Sequence, residues 1–430
     1  MATAGAGAAA ATLRAWGAHV AGLETFESPD GKIALLKLTT SDGIEGWGQF
    51  GNKDVDLTVE IFHRRVAPAA MGALVRDPAA LVERIVGFEL NYKQLGVQLS
   101  KALAGLDAAV WDACGKFAQC TVCELLCARP LSAFPVYASS ISRKIAPQDL
   151  ADEMARLKQT HGVRAFKVKA GKRMQGLLAR GQDPKSKQED QWPGRTAAVL
   201  RAVREAVGPE CELMVDANGA YPSPATDSTD GAFVDGVCKM LREYGVSFFE
   251  EPFFWCDYDA YRHLRDREGR AGLPVAGGEQ EFRMDVWRAG LPLDIYQPDF
   301  GYAGGPSSIL QIAQFARRDG RRFVPHSPQG DLHVVYALHV ASALSDPQLD
   351  RIELACVDDG LCQVFIDTNG TVTSMPQITG TPLRLKHGHL DLEPQCHGWG
   401  VEIDPVWLRA DGVKSRVFDA KEATSKRSNL

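Results

Sequence analysis

The chain has 430 residues, of which 45% are hydrophobic and 24% charged, the balance of a soluble globular protein. This length predicts two or three domains, or one large barrel with additions. The formal net charge of -6 excludes the basic balance of a nucleic-acid-binding protein. No apolar run reaches the roughly 18 residues that a membrane span requires, so we expect no membrane partner.

The ten cysteines are scattered along the chain, which fits a reducing cytosol better than a disulfide framework. We therefore expect a cytoplasmic protein. Cys120-x-x-Cys123, followed by Cys127, has the spacing of a metal or redox motif. No second pair or nearby histidine completes a zinc set, so we interpret these residues as core or surface thiols.

The N-terminal part predicts a flexible end followed by an α+β domain. Residues 1–11 are rich in Ala and Gly and lack the charged region and Leu-rich core of a secretory signal. The stretch "KIALLKLTTSDGIEGWGQF" alternates apolar and polar positions across a Ser-Asp-Gly turn, which indicates a β-hairpin. Residues 55–128 instead have helical periodicity. We predict one α+β domain over residues 12–133.

Residues 134–384 predict a (β/α)8 barrel. Short apolar strands alternate there with amphipathic helices, which favours a parallel sheet. The eight strand candidates are "FPVYASS", "RAFKVKAG", "CELMVDAN", "VSFFEEPF", "LPVAGGE", "DIYQPDF", "RRFVPHS" and "DRIELA". A doubly wound open sheet is the alternative, but no G-x-G-x-x-G follows the first strand. Residues 385–430 are predicted to return to the first domain.

Carboxylates recur at the ends of three consecutive strand candidates. Asp216 ends "LMVDAN", Glu250 ends "SFFEEP" and Glu279 ends "VAGGEQ". Since parallel strands of a barrel bring their C-terminal ends to one face, these acids should crowd together there. Unpaired they would repel one another, and a divalent cation, Mg2+ or Mn2+, removes the conflict. Strand alternation sends the adjacent Glu251 to the opposite face, so Glu250 is the predicted ligand.

Two lysines share one face of the preceding strand candidate. In "AFKVKA", Lys167 and Lys169 are two residues apart, while Phe166 and Val168 share the other face. Both lysines should therefore point into the barrel. Crowding is expected to lower the pKa of at least one of them, which would make it a usable general base. The alternative is an exposed edge strand with solvated lysines.

The last three strand candidates end in complementary groups. Asp299 in "PDFGYAGG" and His326 in "VPHS" close the sixth and seventh strands, so Asp299 can hold the imidazole and fix its tautomer. Glu353 in "RIELA" closes the eighth strand and could hydrogen-bond a substrate oxygen. A single histidine at a strand end is often structural, but its place after Asp299 favours a catalytic role.

This ordered set of motifs resembles the enolase superfamily, and within it the mandelate racemase subgroup. The motifs are "FKVKAG", "VDAN", "FEEP", "GGE", "PDFGYAGG", "VPHS" and "IELA", and "ALAGLDAAVWDACGK" and "HGWGVEID" extend the resemblance over nearly the whole chain. It implies that Asp216, Glu250 and Glu279 bind Mg2+, that Lys169 and His326 are acid/base residues, and that Lys167 supports Lys169 and the substrate carboxylate. The polar stretch at residues 172–195 departs from the family pattern.

The chemistry expected from this set is removal of a proton alpha to a carboxylate. Dehydration of a sugar acid to a 2-keto-3-deoxy acid is preferred over racemisation or epimerisation of a 2-hydroxy acid. A cycloisomerase and a non-catalytic sugar-acid-binding protein are the remaining alternatives. The predicted substrate contacts are Lys167, Asn218, Glu353, Phe50 and Asn52, with residues 24–31 around Glu27 and residues 50–53 as candidate lids. We also expect a homo-oligomer.

Overall fold

The computed structural model describes residues 5–90, 96–172, 190, 194–221, 228–268, 272–327, 331–344, 351–357, 365–367, 369, 371–373, 377–379 and 383–419. The N-terminal residues predicted to be flexible include the start of helix α1 (Gly5–Ala15). No helix among these residues has both the length and the apolar composition that a bilayer crossing demands.

The N-terminal domain is a small antiparallel sheet covered by helices. Strands β1 (Val20–Glu27), β2 (Ala34–Thr40) and β3 (Glu45–Gln49) form successive hairpins. The Ser-Asp-Gly turn joins β2 to β3 as predicted, with Gly43 at a φ of 87° and its N–H donating to the carbonyl of Thr40. The helices are α2 (Val55–Ile61), a π-helix (Phe62–Val66), α3 (Ala67–Ala70), α4 (Pro78–Leu90), α5 (Val97–Ala118) and α6 (Val122–Leu126).

The second domain is the predicted barrel. Its strands are β4 (Ala133–Ser140), β5 (Ala165–Lys169), β6 (Glu212–Asp216), β7 (Val246–Glu250), β8 (Val275–Gly277), β9 (Ile295–Tyr296), β10 (Arg322–Phe323) and β11 (Ile352–Val357). They pair in parallel, β4 to β10 in chain order with β11 beside β4. The eight strand candidates and the barrel fold class are therefore confirmed.

Helices separate the barrel strands and cover the outside of the sheet. They are α7 (Pro147–His161), α8 (Arg195–Val207), α9 (Ser228–Glu243), α10 (Tyr258–Glu268), α11 (Met284–Ala289), α12 (Pro306–Arg318) and α13 (Leu332–Leu344). A small core fills the barrel below its C-terminal face: Tyr137, Ala165, Met214, Phe248, Ala276, Ile295 and Val324. Six strands each contribute one of these side chains and Val324 directly follows a seventh, β10, so the layer is a packed floor rather than a pore.

The C-terminal segment contacts both domains. Strands β15 (Leu383–Lys386) and β16 (His389–Leu392) form a hairpin that pairs with β4, and β18 (Lys414–Val417) pairs with β1. The remaining short elements are β12 (Phe365–Ile366), β13 (Val372–Thr373), β14 (Ile378–Thr379), β17 (Glu402–Ile403) and α14 (Pro405–Leu408).

The buried carboxylate of Asp112 on α5 joins three parts of the fold. It accepts hydrogen bonds from the backbone N–H of Trp47 at 2.8 Å and of Trp399 at 2.9 Å, and it pairs with Lys116 at 2.7 Å. We expect Asp112→Ala to lower the free energy of unfolding by about 3 kcal/mol, because two enclosed N–H groups lose their acceptor. Chemical denaturation measures this. The exposed Asp411→Ala control should change it by less than about 0.5 kcal/mol, and equal losses would contradict the prediction.

Candidate active site

Three carboxylates gather at the C-terminal ends of neighbouring barrel strands. Asp216 is the last residue of β6 and Glu250 the last residue of β7, and the parallel register places them side by side. Glu279 follows the end of β8 in the chain. Oxygens of the three side chains lie within 4.8 Å of one another. The strand ends therefore bring these acids together as the sequence predicts, because parallel strands end at one face.

Two neighbouring side chains hold Glu250 in place. Lys167 Nζ donates to both carboxylate oxygens at 2.8 and 2.9 Å, and Gln297 Nε2 donates to Oε2 at 2.8 Å. Lys167 also lies 2.8 Å from Glu353 Oε1. All four side chains are buried, where an unpaired charge would be costly. The pairing therefore offsets part of the cost of burying these acids.

The acids outweigh the positive charge that Lys167 supplies. Burial raises the pKa of Glu250 to about 8; Lys167 opposes this rise, whereas Asp216, Glu353 and Glu279 add to it. A set of carboxylate oxygens at this spacing is the ligand type that Mg2+ and Mn2+ prefer. Asp216, Glu250 and Glu279 therefore fit a divalent cation.

Glu251 lies where the strand alternation has ended. Its φ of 38° is in the left-handed region, so the chain turns directly after Glu250. The buried Glu251 carboxylate accepts a hydrogen bond from Gln280 Nε2 at 3.1 Å. Burial, followed by the charges of Glu279 and Asp216, raises the pKa of Glu251 well above its ordinary value. The backbone turn, rather than the strand phase that we invoked, therefore sets the direction of this side chain.

Both lysines of β5 point into the barrel, as their spacing predicts. Lys169 Nζ donates to Asp216, and its backbone carbonyl accepts from the buried Arg195 at 3.0 Å. Burial lowers the pKa of Lys167, but Glu250 and Glu353 outweigh burial and raise it well above its ordinary value. The predicted lowering of a lysine pKa by crowding therefore does not apply to Lys167, because two carboxylates stabilise its ammonium form.

His326 and Asp299 form the predicted pair at the ends of adjacent strands. His326 Nδ1 lies 2.8 Å from Asp299 Oδ2, while Asp299 Oδ1 accepts from the N–H groups of Gly301 and Tyr302 at 2.8 and 2.9 Å. The other ring nitrogen lies 3.1 Å from Glu279 Oε2. Burial lowers the pKa of His326, but the two carboxylates outweigh it and raise the pKa well above its ordinary value. Asp299 thus fixes the ring orientation and favours the imidazolium.

Glu353 lies between Lys167 and His326. Its Oε1 contacts Lys167, and its Oε2 lies 4.0 Å from His326 Nε2 with no hydrogen-bond partner among the described residues. Ser139 is the parallel partner of Lys167 on β4, and its buried hydroxyl also lacks a partner within the described part of the chain. Both oxygens are therefore available to hydrogen-bond a ligand in the barrel mouth.

Asn218 is placed next to the acids but is already engaged. It has a φ of 46°, its side-chain N–H donates to Asp216 Oδ2 at 3.1 Å, and its Oδ1 accepts from Arg143 at 3.3 Å. Arg143 also donates to the backbone carbonyls of Ala170 and Ala217, at 3.0 and 2.8 Å. These contacts orient Asp216 and fasten the ends of β5 and β6 together.

The two predicted contacts of residues 50–53 have different environments. Phe50 is buried in the core of the N-terminal domain, with its ring centroid 5.2 Å from that of Phe62 and the ring packed on Gly105. No part of the Phe50 ring is left for a substrate, so we do not retain it as a substrate contact. Asn52 Oδ1 accepts a hydrogen bond from the hydroxyl of Tyr302 at 3.3 Å. Tyr302 is close to Asp299 in the chain.

Two further segments singled out in the sequence are the candidate lid around Glu27 and the polar stretch at residues 172–195. The charges that act on Glu27 are Lys414, Asp56, Arg416 and Glu60, and all four belong to the N-terminal domain or to β18. Most of the stretch at residues 172–195, namely 173–189 and 191–193, lies outside the described residues. Its described end is anchored, because Asp190 accepts from the backbone N–H of Thr196 at 2.9 Å.

The cysteine motif has the environment of ordinary thiols. Burial raises the pKa of Cys120 to about 11, and burial likewise raises the pKa of Cys123. Among the described residues, one group of three or more His, Cys, Asp or Glu side chains has the spacing to hold a metal ion. That group is Asp216, Glu250 and Glu279, and it contains no cysteine. This agrees with the interpretation of the cysteines as core or surface thiols.

Three residues of the site escaped the sequence analysis. Gln297 and Ser139 were detectable in principle, since each lies two residues after an inward side chain of its strand, Ile295 on β9 and Tyr137 on β4. No local pattern indicates Arg143, which follows β4 in a loop. Its importance arises from strand ends that are distant in the chain.

Comparison with known proteins agrees with this fold. The family model of the enolase C-terminal domain matches residues 149–407, and that of the mandelate racemase and muconate lactonizing enzyme N-terminal domain matches residues 22–127. These matches cover most of the chain. It therefore belongs to the enolase superfamily, in the mandelate racemase subgroup, and is an enzyme of that superfamily.

Individual relatives have different names. The chain is 32% identical to a D-galactarolactone cycloisomerase from Agrobacterium fabrum over 73% of its own length and 76% of that protein. It is 27% identical to a D-galactonate dehydratase from Variovorax paradoxus over 88% of its length and 94% of that protein. The crystal structure of a mandelate racemase/muconate lactonizing protein from Paracoccus denitrificans, complexed with magnesium, has a TM-score of 0.75 at 23% identity, covering 93% of this chain and 98% of that one.

Proposed function

We propose that the protein removes the proton alpha to the carboxylate of a sugar acid and expels the β-hydroxyl group, giving a 2-keto-3-deoxy sugar acid. The observation that carries this proposal is the placement of Lys169 and the His326–Asp299 pair at opposite ends of one cluster of acids. Lys169 contacts Asp216, whereas His326 contacts Glu279. Two groups that can exchange protons thus flank the position where a substrate carboxylate would lie.

The cation in this proposal is Mg2+, with Mn2+ as the alternative, held by Asp216, Glu250 and Glu279. A bound cation would stabilise the negative charge that develops on the substrate carboxylate as the α-proton leaves. The position of Lys167 beside Glu250 and Glu353 suits it to orient the same carboxylate. The similarity to a D-galactonate dehydratase supports a sugar acid as the substrate class.

The remaining residues divide the proton transfers. Lys169 accepts the α-proton, and the electron pair left on the α-carbon forms the double bond to the β-carbon. The carbon–oxygen bond of the β-hydroxyl breaks, and His326, protonated and oriented by Asp299, donates the proton that makes the leaving group water. The resulting enol then becomes the 2-keto acid. Glu353 and Asn52 are proposed to hydrogen-bond substrate hydroxyls, and Asn218 to orient Asp216 beside them.

Cycloisomerisation of a sugar-acid lactone is the second candidate, and the 32% identity to a D-galactarolactone cycloisomerase favours it. Such a reaction also acts at the carbon next to a carboxyl group, but it releases no water. Racemisation or epimerisation would return the proton to the other face instead. Assembly as a homo-oligomer stays a prediction.

A substrate screen tests the proposed function. The purified protein with Mg2+ would be incubated with mono- and diacid sugars and with their lactones, and 2-keto acid formation would be measured by semicarbazide absorbance. We expect one or a few stereochemically related sugar acids to give a 2-keto-3-deoxy product. Conversion of a lactone without a 2-keto product would favour the second candidate. Binding of a sugar acid without conversion, or without α-proton exchange, would contradict an enzymatic role at this site.

A further inference from the structure

Lys101 is a buried lysine on α5, outside the cluster of acids described above. Its ammonium donates a hydrogen bond to the backbone carbonyl of Lys53 and lies 5.9 Å from the ring centroid of Tyr302. Among the described residues, no carboxylate lies within the 4.0 Å that defines an ion pair with it. A buried ammonium without a carboxylate partner is costly, so its retention at this position requires a reason.

The carbonyl that Lys101 contacts belongs to a backbone segment of unfavourable conformation. Lys53 and Asp54 have φ values of 59° and 49°, so two successive residues other than glycine lie in the left-handed region directly before α2. Such residues keep this conformation only where the surroundings hold them. A hydrogen bond from a charged donor at the first of the two supplies such a restraint.

The same segment is pressed against the loop that carries Asp299. A Cβ added to Gly51 would lie 2.6 Å from Lys101 Cγ and 3.0 Å from the carbonyl oxygen of Gly301. A Cβ added to Gly301 would lie 2.6 Å from Gly51 Cα and 3.2 Å from Asp299 Oδ1. Two glycines thus allow the backbone of the N-terminal domain to touch the barrel beside Asp299, with the stem of Lys101 packed behind.

Tyr302 connects the remaining parts of this contact. Its N–H donates to Asp299 Oδ1 at 2.9 Å, and its hydroxyl donates to Asn52 Oδ1 at 3.3 Å. Its ring lies beside the ammonium of Lys101. The position of residues 50–54 is therefore linked through Tyr302 to the carboxylate that orients His326.

We propose that Lys101 is a positioning residue that holds residues 50–54 against the Asp299 loop and so keeps this part of the N-terminal domain closed over the barrel mouth. The closure is a property of the fold. Its effect on turnover rests on the proposed function, because Asn52 and the Asp299–His326 pair act there on a substrate.

The charges around Lys101 give this contact a pH dependence. Burial lowers the pKa of Lys101 to about 8; Asp54, Asp299 and Asp56 oppose that effect, and Lys53 adds to it. The ammonium form is therefore present below about pH 8, and the charged hydrogen bond weakens as the pH rises through this value. We expect residues 50–54 to open more often above pH 8 than below it.

Hydrogen–deuterium exchange measured by mass spectrometry tests the closure without a substrate. Lys101→Met keeps most of the side-chain volume but removes the donor, and we expect about tenfold faster exchange in the peptide that covers residues 50–54, as loss of a hydrogen bond to a charged group would cause. Lys116→Met is the matched control, since Lys116 lies on the same helix and donates to the carbonyl of Glu45 at 2.9 Å. It should leave this peptide unchanged. Equal exchange in Lys101→Met and wild type would overturn the proposal.

The pH dependence of exchange in the wild-type protein provides a second test, for which Lys101→Arg is the control. After correction for the intrinsic exchange rate, exchange of residues 50–54 should rise between pH 7 and pH 9, whereas Lys101→Arg should lose this rise because arginine stays charged. A corrected rise that is equal in both proteins, or the absence of a corrected rise in the wild type, would contradict the proposal. With an identified substrate, Lys101→Met should raise KM about tenfold and lower kcat less. Failure of the proposed function would remove only this kinetic readout and would leave the exchange results to decide.

Discussion

Replacing Glu250 by glutamine is expected to abolish Mg2+-dependent turnover and to weaken Mg2+ binding by more than about a hundredfold. The reason is that glutamine keeps the shape of the side chain but removes one of the three charges that face the cation position. In this variant the ammonium of Lys167 keeps a buried carboxylate partner, because Glu353 also pairs with it. Mg2+ affinity would be measured by calorimetry, and retention of the fold by thermal unfolding and circular dichroism.

Glu251→Gln is the matched control, because Glu251 is equally buried and adjacent in the chain. Its carboxylate hydrogen-bonds Gln280 and is not part of the cluster of acids within 4.8 Å. We expect less than about a tenfold loss of Mg2+ affinity. If the loss occurred in Glu251→Gln and not in Glu250→Gln, the assignment of the metal ligand would have to be reversed.

Lys169→Ala and His326→Asn are expected to separate the two proton transfers. Each should reduce product formation by about a hundredfold to ten-thousandfold, the usual contribution of a general acid or base. His326→Asn removes the group that protonates the leaving hydroxyl but leaves Lys169 in place beside Asp216. It should therefore retain exchange of the α-proton with solvent. Lys169→Ala should lose exchange at the face that it serves.

Proton exchange in deuterated solvent, followed by NMR on an identified substrate, measures this division. Asp299→Asn is a useful companion, since it keeps a group near His326 Nδ1 but removes the charge that favours the imidazolium. We expect it to lower product formation while exchange continues, as for His326→Asn. Turnover at the wild-type rate in both Lys169→Ala and His326→Asn would exclude the mechanism. Reversed exchange patterns would reverse the roles of the two residues.

The sequence by itself determined the barrel and the candidate residues at its mouth. Alternating strand and helix patterns predicted β4 to β11, since hydrophobic periodicity is a local property of the chain. The parallel arrangement then required Asp216, Glu250 and Glu279 to end at one face, which the structure bears out. The same argument placed Asp299 next to His326, and their side chains lie 2.8 Å apart.

Only the tertiary structure decided which neighbours stabilise these groups. Gln297 holds Glu250, and Arg143 fastens two strand ends, through contacts between residues far apart in the chain. Phe50 shows the limit of loop predictions, because its ring enters the core instead of the barrel mouth. Lys101 has no catalytic pattern around it, and its role depends on the close approach of two domains. Such contacts follow from how the folded elements pack together, and a local sequence pattern carries no record of them.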